Sequence, residues 1–242
     1  MKNLSQAKPA ADLLMLPGWA IAPSHYQPLL DALKTKVRGT IFDYGFFSSL
    51  VDEPMRMPSL SKDCAPLIIV AHSMGSLFAF RLASMNPAVK AIVLFGGFAR
   101  FSAGNSIPGR SIEDLDSMKR HLTSNSEVLL KSFYRASSLP EPHKLPIPPA
   151  LNKRALADGL DLLSSDDASD VIAHVKIPCL DIISSGDMIV DAPMSTALAS
   201  LMPAMEVKQF YDAGHLLPLT RVAAAAKSID DFIASHFPEG LG

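Results

Sequence analysis

Short apolar runs, most of them continuous rather than alternating, recur along this chain, each ending in a small or turn-forming residue and followed by a helical pattern. The runs fall at residues 12–16, 40–43, 67–71, 91–95, 179–184 and 207–211, and the helical patterns at 26–34, 75–85, 195–202 and 221–232. A half-exposed strand alternates apolar and polar residues, whereas an uninterrupted apolar run suits a parallel strand covered on both faces. The pattern predicts an α/β fold, with a mostly parallel, doubly wound sheet between layers of helices. At 242 residues and 48% hydrophobic, the chain is long enough to bury one large core without staples or metals. Its composition excludes a disordered chain, two cysteines exclude a disulfide scaffold, and a net charge of −2 argues against a nucleic-acid coat. No apolar stretch approaches the ~20 residues of a membrane span. The run Leu13-Leu14-Met15-Leu16 stops at Pro17-Gly18, too short for a signal sequence, so the expected location is cytoplasmic. Cys64 and Cys179 are then expected as reduced thiols.

One segment breaks the alternation. Residues 101–165 contain no strand-like run; Ile112, Leu115, Met118 and Leu122 follow helical spacing, as do Leu129, Leu130, Phe133 and Tyr134. Two capping boxes, Ser111-x-x-Asp114 and Ser124-x-x-Glu127, mark helix starts. A bend with Pro140, Pro142, Pro146, Pro148 and Pro149 precedes a third helical pattern through Leu151, Ala155, Leu156, Leu160 and Leu163. The expected division is a core of residues 1–100 and 166–242, interrupted by a helical cap at 101–165. An insertion at a strand end is placed to cover a site at the carboxyl edge of the sheet.

The residues with most chemical content are Ala71-His72-Ser73-Met74-Gly75, between the run Leu67-Ile68-Ile69-Val70 and a helix carrying Leu77, Phe78, Phe80 and Leu82. Small residues two before and two after a serine let the chain turn sharply from strand into helix, which thrusts the hydroxyl above the sheet. Ser73 is therefore the candidate nucleophile. A serine hydroxyl needs a base to activate it, and the base needs an orienting carboxylate. Asp187, in Ser184-Ser185-Gly186-Asp187, and His215, in Asp212-Ala213-Gly214-His215, both follow later strand runs. His215 is read as general base and then acid, with Asp187 holding its tautomer. Asp191 competes for the second role, but it precedes Ala192-Pro193 at a helix start and reads as an N-cap. Asp212 reads as a turn residue and His72 as structural or cap-contacting; the other histidines read as surface or satisfied core.

Attack on a carbonyl builds an oxyanion that needs preorganised donors. The expected donors are the backbone N–H of Met74, just after the nucleophile, and that of Trp19, in the Leu16-Pro17-Gly18-Trp19-Ala20 loop after the first strand. Trp19 also reads as a pocket or core anchor, and Phe133 as an apolar substrate contact. Phe95-Gly96-Gly97 reads as a turn into the cap. No dinucleotide, Walker or zinc motif occurs, so no cofactor and no metal are implied.

With these elements together, the chain resembles the α/β-hydrolase superfamily over nearly its whole length, with a shortened N-terminus before the first core strand. Within it the sequence is most similar to the biotin-pathway carboxylesterases that act on the methyl ester of pimeloyl-acyl-carrier protein. The matching stretches are Leu16-Pro17-Gly18-Trp19-Ala20, Ser73-Met74-Gly75-Ser76, Phe101-Ser102-Ala103, Leu160-Asp161-Leu162-Leu163 and Gly186-Asp187-Met188-Ile189-Val190. The resemblance implies a serine carboxylesterase acting on an acyl ester presented by an acidic carrier protein. It departs from the family at Pro17, where most relatives carry His, and in the loop Phe42-Asp43-Tyr44-Gly45-Phe46-Phe47-Ser48. Residues 100–165 hold nine Lys and Arg against seven acids, net +2, which leaves −4 for the remainder. A cap more basic than the body would steer an acidic partner, and Lys131 and Arg135, four apart, share one helical face as candidate carrier contacts. The other readings are a broad short-chain esterase, a thioesterase or lyase using the same three residues, and a catalytically idle hydrolase fold that binds.

Overall fold

The computed structural model describes residues 11–48, 55–60, 65–104 and 107–240. Cys64 and residues 1–10, on which the shortened N-terminus was read, lie outside them. Six parallel strands form one sheet in the order β2-β1-β3-β4-β5-β6. They are β1 (Ala11–Leu16), β2 (Val37–Ile41), β3 (Leu67–His72), β4 (Val89–Phe95), β5 (Cys179–Ser184) and β6 (Glu206–Phe210). Strand β3 is buried at every position, as its unbroken apolar run requires, and alternate residues enter two different cores. Leu67, Ile69 and Ala71 face the core shared with Phe78 and Phe80; Ile68 and Val70 face the core shared with Ile229 and Phe232. The sheet thus carries apolar layers on both faces, which is the expected doubly wound arrangement.

The edge strands depart most from the sequence reading. Residues 40–43 were expected as a strand, but β2 lies earlier, at Val37–Ile41. Among the described residues it pairs with β1 alone, and its residues alternate between partly buried and exposed, so it never needed a continuous apolar run. The tail of that run still touches the sheet, through the Phe42 N–H donating to the Met15 carbonyl at 2.9 Å.

Helices follow the strands. After β1 comes a single 3-10 turn, Pro23–Tyr26, then α1 (Gln27–Ala32); α2 (Gly75–Met85) follows β3. Between β4 and β5 lie α3 (Ile112–Ser138), α4 (Lys153–Ser165) and the short α5 (Ser169–Ile172). The chain ends through α6 (Ala192–Leu201), α7 (Leu217–Thr220) and α8 (Val222–His236). Ser111 caps α3 by accepting from the Asp114 N–H at 3.0 Å, as its box predicts. The second box does not start a helix. Ser124 instead bonds back to the Arg120 carbonyl, and α3 kinks one residue later at Asn125 (φ −153°, ψ 75°), whose side chain accepts from the Val128 N–H. Asn supplies the same capping oxygen as Ser, which is why the signal fell one residue short. Asp191 caps α6 by accepting from the Met194 N–H at 3.2 Å, the role read for it.

The connection from β1 runs to β2 on one side, and β3 then returns to the other side of β1, so strand order reverses between them. The carboxyl ends of β1 and β3 therefore open a crevice, the usual ligand position in an open α/β sheet.

Asp181 lies inside the sheet on β5, fully buried. One carboxyl oxygen accepts from the Gly97 N–H at 3.0 Å, while the other finds no partner among the described residues. Burial raises its pKa to about 7. The folded chain then keeps this proton where the unfolded chain has released it, so stability falls as pH rises from the ordinary carboxylate value to about 7. The full linkage is on the order of 4 kcal/mol. Asp181→Asn removes the titration, so the difference in Tm between wild type and variant should shrink or reverse from pH 5 to 7 and level off above pH 8.

Candidate active site

The elbow at Ser73 has the geometry its sequence implies. Ser73 sits between β3 and α2 with φ +54°, a left-handed conformation that a non-glycine residue rarely adopts. Gly75 is required by space: a Cβ there would stand 2.4 Å from the Leu16 carbonyl oxygen of β1. Gly18 is similarly constrained, since its Cβ would lie 3.0 Å from His72 Nδ1 and 3.3 Å from Ser73 Cβ. The loops after β1 and β3 are therefore in contact across the crevice.

His215 and Asp187 follow β6 and β5. Their side chains are almost wholly buried, with His215 Nδ1 2.7 Å from Asp187 Oδ2. The other carboxylate oxygen, Oδ1, accepts from the Ile189 N–H at 2.7 Å and the Val190 N–H at 2.8 Å, so the loop's own backbone holds the acid in place. A carboxylate oxygen accepts; Nδ1 therefore carries the proton and Nε2 presents its lone pair. Asp212 makes no such contact and occupies a turn at φ +55°. Gly96, with φ +58°, runs against this pair: a Cβ would meet Asp187 Oδ2 at 3.2 Å and His215 Nδ1 at 3.6 Å. The Gly-Gly step after β4 thus does more than turn the chain. It leaves room for the acid and the imidazole.

Ser73, Trp19 and Phe133 line one cavity of about 220 Å³, with Leu115, Met118, Leu160 and Leu163 from α3 and α4 and Met188 and Ile189 from the Asp187 loop. Trp19 and Phe133 meet edge to face at 5.0 Å. The Trp19 indole N–H donates to the Leu156 carbonyl at 2.9 Å, so Trp19 is an anchor as well as a wall. The backbone N–H groups of Trp19 and Met74 are not taken up by another described backbone group. Arg110 reaches across the mouth and donates to the Met188 and Ile189 carbonyls. Lys131 and Arg135 do not reach this cavity. They line a separate groove of about 930 Å³ between α3 and residues 142–151, with His143 and Lys144. Lys131 there pairs with Glu127 one turn away.

Several site contacts carried no sequence signal of their own. Tyr134, read only as an apolar helix position, donates its hydroxyl to the Ala20 carbonyl at 2.6 Å. Tyr26 Oη lies 2.6 Å from His72 Nδ1, and His72 Nε2 lies 2.9 Å from the His215 carbonyl oxygen. His72 thus bridges Tyr26 and the His215 backbone. Burial and the neighbouring His215 hold its pKa well below the ordinary value. Among the described residues, no group of three or more His, Cys, Asp or Glu is arranged to hold a metal, and no helix is long and apolar enough to cross a membrane.

Comparison with known proteins places this geometry. A pimeloyl-(acyl-carrier protein) methyl ester esterase of Stenotrophomonas maltophilia (strain K279a) is 25% identical over 96% of this chain and 96% of its own length. One of that description from Legionella pneumophila (strain Corby) is 24% identical, covering 91% of this chain and 94% of its own. Among solved structures, an esterase from Exiguobacterium antarcticum superposes with a TM-score of 0.79 at 14% identity, covering 92% of this chain and 91% of that one. A bromoperoxidase from Bacillus anthracis gives 0.78 at 15% identity, covering 92% of each. Residues 13–227 match the sequence profile of the alpha/beta hydrolase family. The parallel sheet and its reversed strand order are those of that fold, and the chain belongs to the α/β-hydrolase family.

Proposed function

We propose that this protein is a serine carboxylesterase, with Ser73 as nucleophile, His215 as general base and acid, and Asp187 as the residue orienting the imidazole. The observation that carries this reading is the buried His215–Asp187 hydrogen bond at the same sheet edge as the left-handed Ser73 corner. Ser73 Oγ attacks the ester carbonyl carbon as its proton passes to His215 Nε2. The negative charge that forms on the carbonyl oxygen is met by the backbone N–H groups of Trp19 and Met74. Collapse expels the alcohol, which takes the proton from His215. Water then attacks the acyl-enzyme by the same route, releasing the acid and restoring Ser73.

Residues 101–165 act as the cap, since α3 and α4 supply much of the wall of the Ser73 cavity. The substrate class we propose is the methyl ester of a dicarboxylic acyl chain carried by an acyl-carrier protein. Support comes from the near full-length relatives of that description and from the apolar lining, which suits an aliphatic chain. The groove at Lys131 and Arg135, with Lys144 beside them, offers positive charge to an acidic carrier surface. The site of action is the cytoplasm, where such a carrier would be met.

A fluorophosphonate probe should label wild type and leave Ser73→Ala unlabelled; equal labelling of both would end the serine mechanism. Asp187→Asn should keep the fold and lower kcat by on the order of 10³–10⁴, because the imidazole loses its proper tautomer. Charge reversal of Lys131 and Arg135 to Glu should reduce kcat/KM on the carrier-bound methyl ester while leaving a small aryl ester unaffected. Hydrolysis of the aryl ester without any turnover of the carrier-bound ester by wild type would favour a broad short-chain esterase.

A further inference from the structure

His72 stands immediately before Ser73, is buried to 2% exposure, and lines no part of the cavity that Ser73 faces. It still joins two loops of the site. On one side its Nε2 lies 2.9 Å from the His215 carbonyl oxygen. A carbonyl only accepts, so Nε2 carries the proton and Nδ1 is bare. On the other side Nδ1 lies 2.6 Å from Tyr26 Oη, which must then be the donor. The same Tyr26 oxygen accepts from the Gly18 N–H at 3.1 Å. Direction is therefore settled along the whole chain, from Gly18 N–H to Tyr26, from the Tyr26 hydroxyl to His72, and from His72 N–H to the His215 backbone. Burial keeps the ring neutral, as this pattern requires. The His72 and His215 rings also lie face against face at a tilt, with centroids 4.6 Å apart.

We propose that Tyr26 and His72 are positioning residues, coupling the loop that presents the Trp19 N–H to the backbone that presents the His215 imidazole. The proposal rests on the serine esterase reading. Gly18 is the residue before Trp19: Tyr26 holds its N–H, and its carbonyl, in the same peptide group as the Trp19 N–H, accepts from the Ile21 N–H at 3.3 Å, so the peptide that presents the Trp19 N–H is held from both sides of Gly18. Holding the His215 carbonyl fixes that residue from its main chain, while Asp187 fixes it from its ring. The oxyanion donor and the general base are then held at a set separation around Ser73, through one residue adjacent to the nucleophile. Small displacements of either group cost large factors in rate.

The test uses Tyr26→Phe, His72→Phe, His72→Gln and the double Phe variant, with a short-chain aryl ester as substrate. Active serines are counted by fluorophosphonate titration, so that kcat is expressed per labelled Ser73. Tyr26→Phe keeps the ring and should lower kcat per labelled serine about tenfold, with KM within about twofold. His72→Phe should do the same, and the double variant should be little worse than the worse single, as expected of one chain acting as a unit. His72→Gln retains an N–H for the His215 carbonyl and should recover most of what His72→Phe loses. A purely structural role would lower the number of titratable serines and the Tm but leave kcat per labelled serine unchanged; that result overturns the proposal, as would additive losses in the double variant. Should His72→Phe fail to fold, Tyr26→Phe and His72→Gln decide the matter by the same measure. Absence of labelling in wild type would instead remove the esterase reading itself, and the coupling with it.

Discussion

The Leu16 carbonyl of β1 and Gly75 at the start of α2 meet so closely that no side chain fits between them. That contact forces the chain to leave β3 in a tight corner, and the corner puts Ser73 at φ +54°. The cost of such a conformation is met by the sheet beneath it, where the Ser73 N–H donates to the Phe95 carbonyl at 3.0 Å. Because β1 and β3 are neighbours at the point where strand order reverses, the same approach brings Gly18 against Ser73. Every other group in the proposed mechanism is arranged around this corner.

The segment between β4 and β5 is tied to the sheet edge by polar hooks as well as by apolar packing. Tyr134 of α3 bonds the Ala20 carbonyl, and Trp19 bonds the Leu156 carbonyl of α4. The Leu216 N–H donates to the Ser137 carbonyl at the end of α3, one residue from His215. Farther out, Arg81 of α2 makes paired hydrogen bonds with Asp166 just after α4. Residues of α3 and α4 thus hold the loops that carry Trp19 and His215 directly. The same helices supply apolar walls of the cavity at Ser73, so the shape of that cavity and the placement of these loops are linked.

Legibility differed with the range of the interaction. The elbow, the Ser111 and Asp191 caps and the buried strands β3, β4 and β5 depend on neighbours within a few residues or on continuous burial, and both leave local patterns. Edge strand β2 begins before the apolar run that signals it, because an edge exposes alternate residues and the run marks only its end. Asp187 and His215 were read from their position after strands, but nothing local showed that their side chains would meet. Tyr26 carried no signal at all: a tyrosine 46 positions from His72 becomes its partner only when the turn after β1 folds beside β3. Asp181 was hidden for the opposite reason, as one acid within an apolar strand that accepts, among the described residues, from the Gly97 N–H after the neighbouring strand.

Sequence alone determined the class of fold and the position of the strained serine, since the strand-turn-helix context is written in consecutive residues. It also indicated helices between β4 and β5, where α3 and α4 form, because helical spacing and capping oxygens are local. Tertiary structure decided which groups surround that serine. The His215–Asp187 hydrogen bond joins residues 28 apart, and the His72–His215 contact joins residues 143 apart. Such contacts depend on strand order and on the crevice it opens. Tertiary structure also separated two surfaces that look alike in a list of charges. Lys131 and Arg135 face an outer groove, while Phe133 on the same helix turns inward to Trp19, because a helix presents residues two apart to different faces.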